Sequence, residues 1–361
     1  KRLLAICPIQ TINALGDATF CQDYQIDYPY MAGSMANGIA SVELVEALAN
    51  AGMLASFGAA GLTLNEVETA IKRLQSSLGD KPYCFNLIYS PNEKGHEEAI
   101  VDLYIKYGVT LVETSAYMKL TLPVVKYRVK GIYKDSNGDI VVPNRIIAKA
   151  SRIELAEKWF SPPPEKLLQQ LLEQGEITAE EAKLAQQIPM AQDLTVEADS
   201  GGHTDNRPAI TLLPTILACR DQIQSLYKYK DKLRVGAAGG ISTPASALGA
   251  FAMGAAYIVT GTVNQACKES GSSDIVRDML AAAEQADVTM APAVDMFEMG
   301  VKLQVLKRGT MFAMRGNKLY DLYKQFNSIE AIPESERTKL EKTVFKMSLD
   351  EVWQKTEELF T

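Results

Sequence analysis

Two histidines occur in 361 residues, and one of them, His203, directly follows the turn Ser200-Gly201-Gly202. An imidazole can hold or move a proton near neutral pH. Glycines take torsions closed to other residues and let backbone approach a ligand closely. The apolar run Leu194–Ala198 reads as a buried strand. His203 therefore falls just past a strand's C-terminal end, where α/β barrels carry their chemistry. On spacing alone, a plain strand-to-helix turn with a capping or packing histidine fits equally well. Two further glycine turns, Gly239-Gly240 and Gly261-Thr262, follow the next two predicted strands. Barrels bind phosphate at the loops after strands seven and eight, so these amides and the Thr262 hydroxyl match a phosphate cradle.

Other strand-end polar residues join this group: Asn86, Glu113 with Thr114 and Ser115, and Lys149. Lys149 lies in Ile-Ile-Ala-Lys-Ala, and an ammonium buried there needs an anion. A flavin offers one, because its N1–C2 carbonyl edge becomes negative on reduction. A salt bridge to Glu113 or Glu197 answers the same need. No metal set is expected from two histidines so far apart. The cysteines (Cys7, Cys21, Cys84, Cys219, Cys267) contain no CxxC pair, which suits a reducing compartment rather than a disulfide or zinc framework.

The elements that must position these residues repeat strand then helix. Strands are expected at 28–36, 53–57, 83–88, 110–114, 145–150, 194–198, 233–241 and 257–262, with helices of 10–15 residues between most of them. That rhythm predicts βαβ units and a parallel sheet. Eight units fit a closed (β/α)8 TIM barrel. An open doubly wound sheet competes, but no Gly-x-Gly-x-x-Gly follows the first strand. The expected organisation is an N-terminal arm at 1–27 and a barrel at 28–289. Within the barrel, an Asn137-Gly138 turn marks a hairpin excursion over 127–142. Residues 161–190 read as a helical insert, with a capping box at Thr178–Glu181.

Residues 290–330 read as a helical subdomain rich in methionine, and 331–361 as C-terminal helices packing on the barrel. Met290, Met296, Met299, Met311 and Met314 suggest a pliable apolar surface. From Lys302 to Lys324 there are six basic residues and one acid, inside a chain of net charge -7. That local reversal points to an acidic partner. The acidic balance as a whole argues against a nucleic-acid binder. No run approaches the roughly 18 apolar residues of a membrane span, so a cytoplasmic, membrane-free protein is expected.

Four stretches together resemble a known family. They are Glu197-Ala-Asp-Ser-Gly-Gly-His-Thr-Asp-Asn-Arg-Pro208, Met31-Ala-Gly-Ser-Met-Ala-Asn-Gly-Ile-Ala40, Ser56-Phe-Gly-Ala-Ala-Gly61 and Gly236-Ala-Ala-Gly-Gly-Ile241. They are similar to the PfaD-type trans-acting enoyl reductases of polyketide and polyunsaturated fatty acid synthases. Those are relatives of nitronate monooxygenase and the flavin-dependent bacterial enoyl reductase. The resemblance runs over nearly the whole chain, and Thr204-Asp-Asn-Arg207 sides with the reductases.

It implies an FMN-bearing barrel, reduced by NADPH, that saturates an enoyl thioester on an acyl carrier protein. Carried over by position, Gly33, Ser34 and Met35 would line the flavin, with Asn86 and Lys149 bonding its ring or ribityl chain. Gly201, Gly202, Gly239, Gly240, Gly261 and Thr262 would surround its phosphate. His203 would be catalytic, holding the thioester oxygen or delivering the α-proton, with water, Asp205 or Asn206 as competing donors. Lys302, Lys307, Arg308 and Arg315 would dock the carrier protein, and a homodimer is compatible with the chain. Two other functions fit the same residues: a nitronate monooxygenase-like flavin oxidase, and a non-catalytic flavin-binding synthase subunit.

Overall fold

The computed structural model describes residues 11–91, 93 and 95–360. Residues 1–10 of the expected arm, Cys7 among them, lie outside these. The chain forms two compact units, divided between Ala281 and Ala282, eight residues before the expected boundary at 289.

In the first unit eight strands close a parallel barrel. They are β1 (Tyr30–Ala32), β2 (Leu54–Phe57), β3 (Cys84–Ile88), β4 (Leu111–Ser115), β5 (Arg145–Ala150), β6 (Asp193–Glu197), β7 (Arg234–Ala238) and β8 (Ile258–Thr260). Each pairs with the next, and β8 returns to β1 with Met31 opposite Val259. Side chains alternate in and out along each strand. Met31, Leu54, Cys84, Leu111, Ile147 and Tyr257 therefore gather in one interior cluster. Gly236 leaves the space that the Tyr257 ring fills, since a Cβ there would lie 2.3 Å from the ring.

Two residues further along β2, β3, β4 and β5, polar groups replace that apolar layer: Ser56, Asn86, Glu113 and Lys149. Glu197 stands beside them at the end of β6, two residues past the buried Thr195. The barrel interior is thus apolar in the middle and polar at the C-terminal end. Outside, α2 (Val42–Asn50), α3 (Leu64–Leu78), α4 (His96–Tyr107), α6 (Ile153–Phe160), α9 (Ala209–Tyr227) and α10 (Pro244–Ala252) complete the crossovers, and α11 (Thr262–Gln265) and α12 (Asp274–Ala281) follow β8. Ser41 caps α2 and Thr63 forms a capping box with Glu66.

Two expectations need correction in this unit. The N-terminal residues are more than an arm: α1 (Ala18–Tyr24) buries Phe20 completely, stacked 4.1 Å from Tyr257. The segment is too short to show a helical period in its sequence. The hairpin does not begin at Tyr127. Residues Leu122–Val129 form helix α5, capped by Thr121 with Pro123 in its first turn. Six consecutive residues of α5, Val124 to Val129, are buried. A helix covered all round shows no amphipathic period, and its β-branched residues read as strand. Only Tyr133–Lys134 and Ile140–Val141 pair, around the turn at Gly138. Helix α9 starts at Ala209 and carries Pro214 inside it. The insert does supply two helices, α7 (Glu165–Glu173) and α8 (Ala179–Ala185), the second with the predicted box.

The second unit is not wholly helical over 290–330. It opens with an antiparallel pair, β9 (Val288–Pro292) and β10 (Lys302–Leu306). Lys302-Leu-Gln-Val-Leu306 alternates polar and apolar, a signal that the methionines obscure. Helix α13 (Phe312–Gln325) follows, and Gly300 passes close to it: a Cβ there would meet the Tyr320 hydroxyl at 2.4 Å. Helices α14 (Glu334–Leu340) and α15 (Leu349–Phe360) complete the unit.

Candidate active site

Every strand-end residue expected at the site lies at the C-terminal end of the barrel, because all eight strands run the same way. Gly33, Ser34 and Met35 follow β1. The Gly33 N–H donates to the Thr260 carbonyl at 3.0 Å, tying this loop to β8. A Cβ on Gly33 would lie 2.9 Å from a Val259 methyl, so the backbone passes tightly there. The Ser34 N–H donates to Glu113 Oε2 at 2.7 Å. Met35 runs so close to Gly58 that a Cβ on Gly58 would sit 1.7 Å from its carbonyl oxygen. The Gly58 of Ser-Phe-Gly-Ala-Ala-Gly is thereby explained.

Across the barrel, Asn86 is buried and donates to the Glu113 carbonyl and to Ser115 Oγ, at 3.1 and 2.7 Å. Lys149 reaches between two carboxylates, 3.8 Å from Glu113 Oε1 and 3.5 Å from Glu197 Oε1. The salt-bridge reading of Lys149 is therefore present, though at loose distances. Burial presses its ammonium pKa down, but Glu113 and Glu197 more than offset this and hold it above the usual value. Glu113 itself is fully buried, and its Oε1 has no hydrogen-bond partner among the described residues.

The three glycine turns converge. A Cβ on Gly201 would stand 2.9 Å from Thr262 Oγ1, so the loops after β6 and β8 touch. Gly239, at φ +96, would clash with the Ala198 and Asp199 backbone, so the loops after β6 and β7 touch as well. Added Cβ atoms on Gly202, Gly240 and Gly261 would meet nothing within 4 Å, leaving open space on that side. The result is three loops packed on one another, with an uncovered backbone face suited to an anionic group.

His203 is half-buried and forms, with Gly202, a short extended segment. Its loop is braced from both flanks. Arg152 donates two hydrogen bonds to the Asp205 carboxylate, at 3.0 and 3.1 Å, and Ser151 a third at 2.6 Å. Asn206 donates to Asp199 at 2.8 Å while taking a left-handed φ of +53. Arg152 holds the Asp205 carboxyl below its ordinary range. Asp205 and Asn206, considered as competing proton donors, are thus committed to holding the loop. The sequence offers no sign of the Arg152–Asp205 pair, which joins residues 53 apart.

In the second unit, Lys302 and Lys307 are exposed. Arg308 pairs with Asp287 at 3.3 Å, and Arg315 is half-buried and donates to the Thr343 carbonyl. The four basic residues are therefore not equivalent. Met311, Phe312 and Met314 are exposed beside Arg315 on the start of α13, whereas Met296 is buried.

Comparison with known proteins agrees with this geometry. The nitronate monooxygenase family matches residues 19–318. Residues 326–361 match the inserted helical domain of acyl-carrier-protein S-malonyltransferase. The chain is 49% identical over 352 residues to a polyunsaturated fatty acid synthase subunit of Thraustochytrium sp., covering 97% of this chain and 24% of that protein. It is 46% identical over 344 residues to the polyketide biosynthesis protein PksE of Bacillus subtilis, covering 95% of this chain and 45% of PksE. The chain thus spans less than half the length of these curated relatives. The enoyl reductase domain of MlnA, from the macrolactin biosynthesis cluster of Bacillus amyloliquefaciens, superposes with a TM-score of 0.92 at 39% identity. That match covers 96% of this chain and 79% of that one. FabK from Thermotoga maritima shares the fold, with a TM-score of 0.58 at 20% identity; 87% of this chain and 80% of FabK are covered. Among the described residues no helix is long and apolar enough to cross a membrane. With most of its length matched from Thr19 to Lys318, the chain belongs to the nitronate monooxygenase family of (β/α)8 barrels.

Proposed function

We propose that this chain is an FMN-dependent enoyl reductase that takes NADPH as reductant and an enoyl thioester on an acyl carrier protein as substrate. The observation that carries this reading is the convergence of the Gly201, Gly239 and Thr262 loops on one open backbone face, beside a polar barrel end. The likeness to the MlnA enoyl reductase domain supports it. So do the synthase proteins among the relatives. The residues fit a flavin mononucleotide at both ends. Gly201, Gly202, Gly239, Gly240, Gly261 and Thr262 would hold its phosphate. Gly33, Ser34, Met35, Asn86 and Lys149 would hold its ring and ribityl chain.

A bound flavin would supply the hydride chemistry of the reduction. The chain's own residues do the remainder. The Lys149 ammonium offers positive charge from within the polar layer. His203, fixed by the Arg152–Asp205 brace, donates to the thioester oxygen, where enolate charge builds, or delivers the proton to the α-carbon. Gly33 passes so close to Val259 that no side chain fits at this position of the β1 loop.

The exposed Lys302, Lys307 and Arg308, with the half-buried Arg315, form the docking surface for the acidic carrier protein. The match of residues 326–361 to a domain of an acyl-carrier-protein transferase supports placing carrier recognition in the second unit. Reversal of Lys307 and Arg308 to Glu should raise KM for carrier-bound substrate about 2–10-fold, as rim charges do. A small thioester mimic should be unaffected, and equal effects on both substrates would refute docking.

The function itself is tested by the absorbance of the purified protein. Flavin absorbance, anaerobic bleaching by NADPH and recolouring by an enoyl thioester are expected. Bleaching by a nitroalkane instead would identify an oxidase. Flavin absorbance with no NADPH oxidation would identify a non-catalytic flavin-binding subunit.

A further inference from the structure

We propose that Glu113 is the positioning residue of the polar layer: Oε2 fixes the Ser34 loop, and the charge on Oε1 sets how strongly Lys149 acts on the ring end of the flavin. The inference rests on the flavin reading above.

The geometry is unusual for a buried acid. Glu113 is inaccessible to solvent, yet one oxygen has no hydrogen-bond partner among the described residues. Buried carboxylates are normally satisfied, because an unbonded oxygen forfeits its solvation for nothing. This same barrel satisfies Asp193 fully: both oxygens take bonds from Arg234, and one also from Tyr24. Glu113 Oε1 instead faces Lys149 at 3.8 Å, beyond bonding distance. It also lies 3.5 Å from where a Cβ on Gly33 would be, at the point where the β1 loop turns over the barrel end. The unbonded oxygen, the ammonium and the bare Gly33 backbone thus meet at the ring end of the proposed site.

Two carboxylates share one ammonium there, since Glu197 Oε1 is 3.5 Å from Lys149 on its other side. With both ionised, the layer carries one net negative charge. A ring that gains charge on reduction is disfavoured by each carboxylate and favoured by the ammonium. Glu113 therefore moderates Lys149 as well as orienting it. Gln at this position keeps the shape and an acceptor for the Ser34 N–H, and puts a neutral NH2 where the charged Oε1 stands.

The test is the two-electron midpoint potential of bound FMN in the purified holoprotein. E113Q should bind reduced over oxidised FMN about tenfold better relative to wild type, a rise of about 30 mV for two electrons. K149Q should shift the potential in the opposite direction. If E113Q does not fold, K149Q carries the test alone, and an unchanged potential in it overturns the proposal. Wild-type potential in a folded, FMN-loaded E113Q also overturns it, leaving the flavin reading intact. A wild type that takes up no FMN overturns both, and is recognised by its missing absorbance before any variant is made.

Discussion

The two ends of the barrel each hold a buried acid beside a base, and they hold them differently. At the N-terminal end Arg234 and Asp193 are both fully buried, with Nε and Nη2 on the two carboxylate oxygens at 2.6 and 2.9 Å. The remaining Nη1 is taken by Asp23 at 2.7 Å and Thr19 at 3.0 Å, and the Tyr24 hydroxyl closes the set on Asp193. The guanidinium also lies over the Phe20 and Tyr24 rings. At the C-terminal end the ammonium and its two carboxylates stand 3.5 and 3.8 Å apart, and an oxygen is left over. One end satisfies its buried acid within the chain, and the other leaves a carboxylate oxygen unbonded among the described residues. Barrels separate stability from chemistry in this way, because the loops that can vary all follow the C-terminal ends of the strands.

The largest test of that division removes one residue from each end. His203→Ala should lower turnover about 10²–10⁴-fold, the span of a lost general acid. Its urea midpoint and its bound FMN should stay at wild-type values. Steady-state kinetics with a denaturation curve checks both, and full activity would remove His203 from the chemistry.

Arg234→Ala should do the reverse. It strands Asp193 as an unpaired buried charge, at about 3–5 kcal/mol of stability. Protein that still folds in dilute urea should keep most of its kcat. Replacing both partners by leucine should recover much of the loss, because the pair's desolvation nearly cancels its attraction. A double variant as unstable as the single one would mean that Arg234 acts through Asp23, Thr19 and the aromatic rings instead.

The barrel end that carries the proposed site is also the legible one. Polar residues and glycines at strand ends break an apolar pattern, and that break is visible in one dimension. The eight strands are legible for the same reason, with β5 at Arg145–Ala150 as expected. The opposite end is not. Phe20 and Tyr24 lie in a segment of seven helical residues, too short to show a period, and their partners Asp193, Arg234 and Tyr257 are over 160 residues away. Helix α5 reads as strand because burial on every side erases amphipathicity. Charge alone assigns Lys149 to Glu113 or Glu197, since a lysine in an apolar strand must find an anion. That Glu113 also holds the Ser34 N–H depends on how far the β1 loop folds back over the barrel, which no local pattern encodes.

The smallest effect expected concerns acid. Asp17 caps α1, accepting from the Thr19 N–H, and pairs with Lys232 at 3.0 Å. Burial alone would raise its carboxyl, but the bonds from Thr19 and Lys232 reverse this and hold it at about 2, against an ordinary 3.8. A carboxyl whose folded pKa is depressed stabilises the fold above its unfolded pKa and loses that contribution as pH falls through the folded value. The window here runs from pH 3.8 down to about 2. Allowing for solvent screening at a partly exposed group, the loss amounts to about 1–2 kcal/mol. Urea midpoints at pH 5 and pH 3 should therefore differ more for wild type than for Asp17→Asn, which has no proton to gain there. If the two proteins lose stability equally, the acid-sensitive groups lie elsewhere. Asp17 would then be a cap whose charge is immaterial, and the N-terminal end would owe its closure to Arg234, Asp193 and the stacked rings alone.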